Sequence, residues 1–307
     1  MRPNFLMAMR GVDRVHLIQG GLGNQLFQLA YSIALRDLDN LRSYIDTTRC
    51  RSSKTYEGYV ADRIFTLEGA PQQLDYVSPK FLYSYARANG EIECETGNVC
   101  FQRQFLSPRI FGYVRGFFPS WRYFYNCESN IRRAFQFKQR IPAGSEAFIK
   151  ELHEGDTVAV HIRRGDYIDS KHSPVYGGIC TAGYYHAAFN YILVRRPRAR
   201  FYFFSDDPLW CRQKFEKFAA KVVDENTKGD SWKDMLLMSN CRHAIIANSS
   251  LSWWARWIGG YDEAICVGPS KLMNDPQIIS SVDDFLPPNF TQINENGVVI
   301  KEGSRSI

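Results

Sequence analysis

Short apolar runs alternate along the chain with longer segments of helical periodicity, and the alternation is most regular in the second half. From Thr157 onward, Val158 to Ile162, Arg200 to Ser205, Lys221 to Asp224, Ala244 to Ala247 and Ala264 to Val267 read as strands. Between them, Ala182 to Val194, Leu209 to Ala219, Trp232 to Ser239 and Leu251 to Ile258 carry the spacing of helices. Apolar runs this short between helices are what a parallel sheet buried on both faces requires, so the second half predicts a Rossmann-like α/β domain. The first half opens in the same way. Val15 to Ile18 reads as a strand, Gln19 to Gly21 as a turn and Asn24 to Leu38 as a helix. Ser43 to Asp46 and Gly112 to Phe118 predict two further strands, and Trp121 to Phe137 a helix. Between Arg49 and Gly112, aromatics, Pro and Gly interrupt every pattern, and no element is assigned. Residues 1 to 13 and the tail after Pro288 are expected to be loosely ordered. The architecture expected is two α/β domains, 1–153 and 154–307, facing each other across a cleft.

The 307 residues are 45% hydrophobic and 23% charged, which excludes a disordered or fibrous chain. A net charge of +6 favours a small anionic ligand and falls short of a nucleic-acid binder. The 8 cysteines form no CxxC pair and no zinc spacing, and no signal peptide precedes them, so they read as free thiols of a cytoplasmic protein. No apolar stretch is long enough to span a membrane, which leaves only peripheral membrane contact open.

Four segments sit where predicted strands end, which is where open α/β sheets bind ligands. In Gly20 to Gln28 (GGLGNQLFQ), Gly21 and Gly23 permit a close approach, and the side-chain amides of Asn24 and Gln25 suit sugar hydroxyls or phosphate. In Val160 to Tyr167 (VHIRRGDY), His161, Arg163, Arg164 and Asp166 crowd one strand terminus, and arginine forms bidentate bonds to phosphate. In Phe203 to Trp210 (FFSDDPLW), Asp206 and Asp207 precede a proline that opens a helix, so one of them is expected to cap it. In Ala247 to Trp257 (ANSSLSWWARW), Asn248, Ser249 and Ser250 lead a strand into a helix whose free amides make an anion site, and the tryptophans read as core.

In this order and spacing, the four segments resemble the bacterial α-1,2-fucosyltransferases of glycosyltransferase family 11, and the likeness spans nearly the whole chain. The resemblance implies a GT-B fold and an inverting, metal-independent transfer of L-fucose from GDP-β-L-fucose to the 2-hydroxyl of a terminal β-galactoside. It puts the donor in the second domain and the acceptor with the Gly-rich turn in the first. It implies that Arg164 and Asp166 organise the fucose and diphosphate pocket, that Asp206 or Asp207 fixes the base or ribose, and that guanine is read near Asp234 to His243. The residues agree that Arg163 with the Ser249 and Ser250 turn can stabilise a departing diphosphate without a metal. Asp166 is the first candidate for the general base, His161 the second, and Asp169 or His172 complete the set. An α-1,6 or α-1,3 linkage is the alternative within the class. A non-catalytic nucleotide-sugar-binding protein is the alternative outside it, opposed by the intact Arg163, Arg164 and Asp166.

Overall fold

The computed structural model describes residues 13–52, 58–74, 79–94, 98–108, 110–138, 145–169, 171–224 and 231–304. The chain divides into two compact units, Met1–Gln139 and Arg140–Ile307.

The first unit is built on a five-stranded sheet, β1 (Arg14–Leu17), β2 (Ser43–Asp46), β3 (Gln72–Gln73), β4 (Glu91–Glu93) and β5 (Gly112–Arg115), in the order β3-β2-β1-β5-β4. Every pairing is parallel. β1 is central and wholly buried, and helix α1 (Leu22–Asp39) follows it directly. Helix α2 (Pro79–Asn89) lies in the stretch the sequence left unassigned.

The expected helix from Trp121 to Phe137 is broken. Single 3-10 turns at Trp121–Tyr123 and Tyr125–Cys127 precede α3 (Glu128–Ala134), and Phe137 leaves the helix to form a bridge with Phe65. Phe124, between the two turns, has φ −132° and ψ 14°, outside the helical region.

The second unit holds β6 (Thr157–Ile162), β7 (Arg200–Ser205), β8 (Ala219–Val223), β9 (His243–Ile245), β10 (Cys266–Pro269), β11 (Phe290–Ile293) and β12 (Val299–Lys301). Their order is β12-β11-β10-β9-β6-β7-β8, parallel except for the antiparallel β11/β12 pair. Helix α4 (Glu146–His153) precedes the sheet, and α5 (Ala182–Arg195), α6 (Pro208–Phe215), α7 (Ser231–Ser239) and α8 (Ser250–Gly259) intervene between its strands. The core is aromatic. Tyr185, Phe189, Phe201, Phe203 and Phe215 interlock with Val158, Val160 and Ile162 of β6, all essentially buried.

Two sequence expectations need correction here. The domain boundary at 153/154 put α4 in the first domain, but α4 belongs to the second unit. Tyr202 of β7 donates to the Glu151 carboxylate at 2.6 Å, and the Thr157 hydroxyl donates to Leu152 O at 2.6 Å. The tail after Pro288 is folded through residue 304. β11 is buried, and Glu302 ties the following segment to α5 through Tyr191 and, at 3.3 Å, Arg195. No disulfide joins the cysteines of the described residues, and no helix among those residues is long and apolar enough to cross a membrane.

Candidate active site

In the second sheet, the strands after β6 in sequence run outward on one side through β7 and β8, and the chain then returns to β9 on the other side. The crevice beyond the carboxyl ends of β6 and β9 is therefore a topological switch point, the usual ligand position of an open α/β sheet. Three of the four sequence segments end there. β6 delivers His161, Arg163, Arg164 and Asp166, neighbouring β7 delivers Asp206 and Asp207, and β9 delivers Asn248, Ser249 and Ser250.

Each arginine has its own anchors. Arg163 Nη2 lies 2.8 Å from Asp166 Oδ1, and its Nη1 lies 3.0 Å from Asp206 Oδ2. Arg164 Nε donates to Asp207 Oδ2 at 3.0 Å, and its guanidinium sits 4.1 Å over the Trp210 ring. Asp206 also fixes the turn itself. Its Oδ1 accepts from the backbone N–H of Arg164 at 2.8 Å and of Gly165 at 3.1 Å. A side chain at Gly165 would meet that carboxylate, because a Cβ there would stand 2.7 Å from Asp206 Oδ2. Asp207 is the residue that caps α6, accepting from Trp210 N at 3.1 Å.

Other nominated residues serve the scaffold. His161 is 5% exposed, its Nδ1 lies 2.9 Å from the Ser252 hydroxyl, and Tyr185 donates to its carbonyl at 2.9 Å. Burial, followed by the Arg163 charge, brings the His161 pKa down to about 4, so the imidazole is neutral near pH 7. The Asn248 amide is used internally, donating to Tyr176 O and Leu272 O at 3.2 and 3.0 Å. Ser249 is the N-cap of α8, and its hydroxyl accepts from Leu251 N at 3.4 Å. Asp169 and His172 pair with each other at 3.1 Å on an exposed loop, and the His172 backbone N–H, donating to Asp169 Oδ1 at 2.7 Å, followed by that side-chain contact, holds the Asp169 carboxyl below its usual range.

The sequence assigned no role to Tyr167. Its ring stacks on Tyr176 with centroids 5.1 Å apart, and its hydroxyl donates to Asn248 O at 3.0 Å, joining the β6 turn to the β9 turn. Its position inside HIRRGDY was the available signal.

The fourth segment belongs to the first unit. Gly20, with φ +83°, is the residue that needs glycine's freedom; Gly21 is the N-cap of α1 with extended backbone, and Gly23 is helical. Asn24 is half-buried beside Gly20. The expectation that the Gln25 amide meets a sugar is corrected, because that side chain is fully buried and occupied. Its Nε2 donates to Gly20 O and Gly58 O at 2.9 and 2.8 Å, and its Oε1 accepts from Val60 N at 3.1 Å. Gln28 bolts the turn in the same way through Gln19 and Asn24. Among the described residues, no group of three or more His, Cys, Asp or Glu side chains is arranged to hold a metal ion.

Comparison with known proteins identifies the family and the fold. The family model described as Glycosyl transferase family 11 matches residues 102–294. An α-1,2-colitosyltransferase from Escherichia coli is 30% identical over 284 residues, covering 86% of this chain and 93% of that protein. A galactoside α-(1,2)-fucosyltransferase 1 from Lagothrix lagotricha is 26% identical over 158 residues, 48% of this chain and 43% of that one. The crystal structure of the fucosyltransferase NodZ from Bradyrhizobium superposes with a TM-score of 0.50 at 15% identity, over 80% of this chain and 92% of that chain. That likeness places the fold in the GT-B class. The chain therefore belongs to glycosyl transferase family 11, the family its motifs resemble, and it is a glycosyltransferase.

Proposed function

We propose that this enzyme transfers L-fucose from GDP-β-L-fucose to the 2-hydroxyl of a terminal β-galactoside, with inversion and without a metal ion. The observation that carries the proposal is the pair of arginines that follows β6 at the switch point, each held in place by carboxylates. Charge develops on the diphosphate as GDP departs, and pre-aligned guanidiniums with the N-terminus of α8 stabilise it there. Because Asp166, Asp206 and Asp207 already restrain the guanidiniums, little ordering remains to be done when the donor binds.

In the step itself, the acceptor O2 forms its bond to C1 from the face opposite the diphosphate, the C1–O bond breaks, and its electron pair leaves with GDP. The hydroxyl proton passes to a base, and we assign that role to Asp166. Its side chain is 36% exposed, whereas His161 is buried and acts by positioning the β6 terminus against α8.

A second donor is favoured by one observation: the E. coli relative that covers most of the chain transfers colitose, the 3-deoxy counterpart of fucose. A site that hydrogen-bonds the fucose 3-hydroxyl rejects the deoxy sugar, and one without that bond accepts both.

The test incubates purified protein and excess EDTA with GDP-fucose or GDP-colitose. The acceptors are lactose, N-acetyllactosamine, galactosyl-β-1,3-N-acetylgalactosamine and chitobiose, with GDP release and product linkage followed together. Fucose at galactose O2 despite EDTA is the expected result. Fucose on chitobiose would move the enzyme to the α-1,6 class, a requirement for added metal would overturn the charge argument, and tight GDP binding without transfer to any acceptor would favour a binding protein.

A further inference from the structure

The first unit contains a pocket of about 160 Å³ formed by its own residues, at the carboxyl ends of β1, β2, β4 and β5. Gln19, Arg49, Glu93 and Arg115 supply its polar rim, and Phe117 and Phe118 an apolar wall. None of these was singled out by sequence, because Glu93 lies in the stretch without pattern and the others lie outside the motifs.

Three observations define the ligand. The charges balance, since Arg115 pairs with Glu91 at 2.7 Å and Glu93 at 3.7 Å and these two glutamates offset the two arginines Arg115 and Arg49, so the pocket suits a neutral molecule rather than a phosphate. Its rim brings together a carboxylate, an amide and two guanidiniums, planar acceptors and donors of the kind that grip sugar hydroxyls. The Phe117 ring is 36% exposed, an aromatic face of the kind that covers the C–H face of a sugar.

The backbone is shaped to present that ring. Phe118 has φ +48°, a left-handed conformation that costs a bulky residue free energy and recurs at binding sites. It is held by stacking on Tyr31 at 3.8 Å and by edge contacts with Tyr123 at 5.5 Å and Phe105 at 5.8 Å. Reversing the chain there leaves Phe117 against the Gly-rich turn, where a Cβ on Gly20 would come within 3.3 Å of the Phe117 ring.

We infer that this pocket binds a single neutral hexopyranose, with Phe117 beneath its C–H face and Glu93, Arg115 and Gln19 on its hydroxyls. Only the identification of that sugar as the terminal galactose of the acceptor rests on the proposed activity; the binding site itself does not.

The experiment is saturation-transfer NMR of methyl β-galactoside with the full-length protein, without donor, for wild type, Phe117→Ala and Glu93→Gln. GDP calorimetry serves as the folding control. Saturation of the galactoside by wild type, a tenfold or larger loss in Phe117→Ala, a several-fold loss in Glu93→Gln and unchanged GDP affinity are expected. Wild-type binding that neither substitution alters would overturn the inference, as would no galactoside binding at all. If Phe117→Ala loses GDP binding as well, Phe117→Tyr and Glu93→Gln decide the matter: retained sugar binding in the first with loss in the second supports the site, and no change in the second refutes it. Failure of wild type to fucosylate galactose while still binding the galactoside would sink the proposed reaction and leave the sugar site standing.

Discussion

Asp206 is the residue on which the arginine turn depends, and its removal gives a calculable loss. Asp206→Ala deletes the acceptor of two backbone N–H groups, at 2.8 and 3.1 Å, and the 3.0 Å ion pair to Arg163. An N–H left without an acceptor costs about 1 to 3 kcal/mol when water cannot reach it. With the Asp206 side chain 27% exposed, water takes over part of that role, and about 1 kcal/mol survives for the pair together. The half-exposed ion pair adds up to about 1 kcal/mol. The total of about 2 kcal/mol corresponds to roughly a 30-fold weaker GDP affinity, if the organised turn is the binding-competent one. Asp206→Asn keeps an oxygen for the two N–H groups and gives up the charge, so its loss stays near threefold, about 0.6 kcal/mol. Calorimetric titration of GDP into wild type and both variants measures the difference, with thermal melting as the control. Wild-type affinity in Asp206→Ala would refute the account. A loss in Asp206→Asn equal to that in Asp206→Ala would show that charge, not the fixed acceptor, holds the turn.

Gly165→Ala places a methyl 2.7 Å from Asp206 Oδ2, so kcat/KM should fall at least tenfold with little change in Tm; unchanged kcat/KM would mean that the carboxylate moves freely. Arg163→Lys keeps the charge and loses the fork that spans Asp166 and Asp206, and steady-state kinetics should show a drop of about 10²-fold in kcat/KM. Asp166→Asn should lower kcat by about 10² to 10⁴ while GDP still binds, and a smaller effect would pass the base role to another group. His161, with its pKa lowered to about 4 against about 6.5 in an unfolded chain, binds fewer protons folded than unfolded. Stability is therefore complete above the unfolded pKa, falls as pH drops from about 6.5 towards 4, and the loss levels off below 4. Buried His16 and His243 are shifted down as well and add to the same slope. His161→Gln should flatten part of the acid-side fall in Tm, and identical pH profiles for variant and wild type would count against this assignment.

The second sheet was legible in the sequence because strands buried on both faces are uninterrupted apolar runs, as β6 and β7 are. β11 escaped because its sequence FTQI carries Thr291 and Gln292 in buried positions, satisfied by the Tyr191 hydroxyl at 3.0 Å and Asp283 at 2.7 Å. Such partners lie far along the chain or off its pattern. In the first unit, β3 is two glutamines and β4 an exposed Glu-Ile-Glu, and strands so short and polar carry no apolar signal. The convergence of Arg163, Asp206 and Ser249 at one crevice followed from the rule of strand ends. The division of labour within it did not, since the sequence cannot show that the Asp206 carboxylate binds two backbone amides or that Gln25 turns inward.

β12 has a consequence for how the chain survives at high concentration. It is the last strand of the seven, short, solvent-facing and ending in Lys301, and it pairs antiparallel with β11 through a register shift. These are the devices by which proteins keep sheet borders from recruiting other chains. Beside it lies β11, a buried strand already hydrogen-bonded to β10 on its other side. Removing residues 299–304 would leave the backbone of β11 as an unpaired sheet edge open to other chains, so the segment serves as a guard against self-assembly, and its loss should be felt first as precipitation.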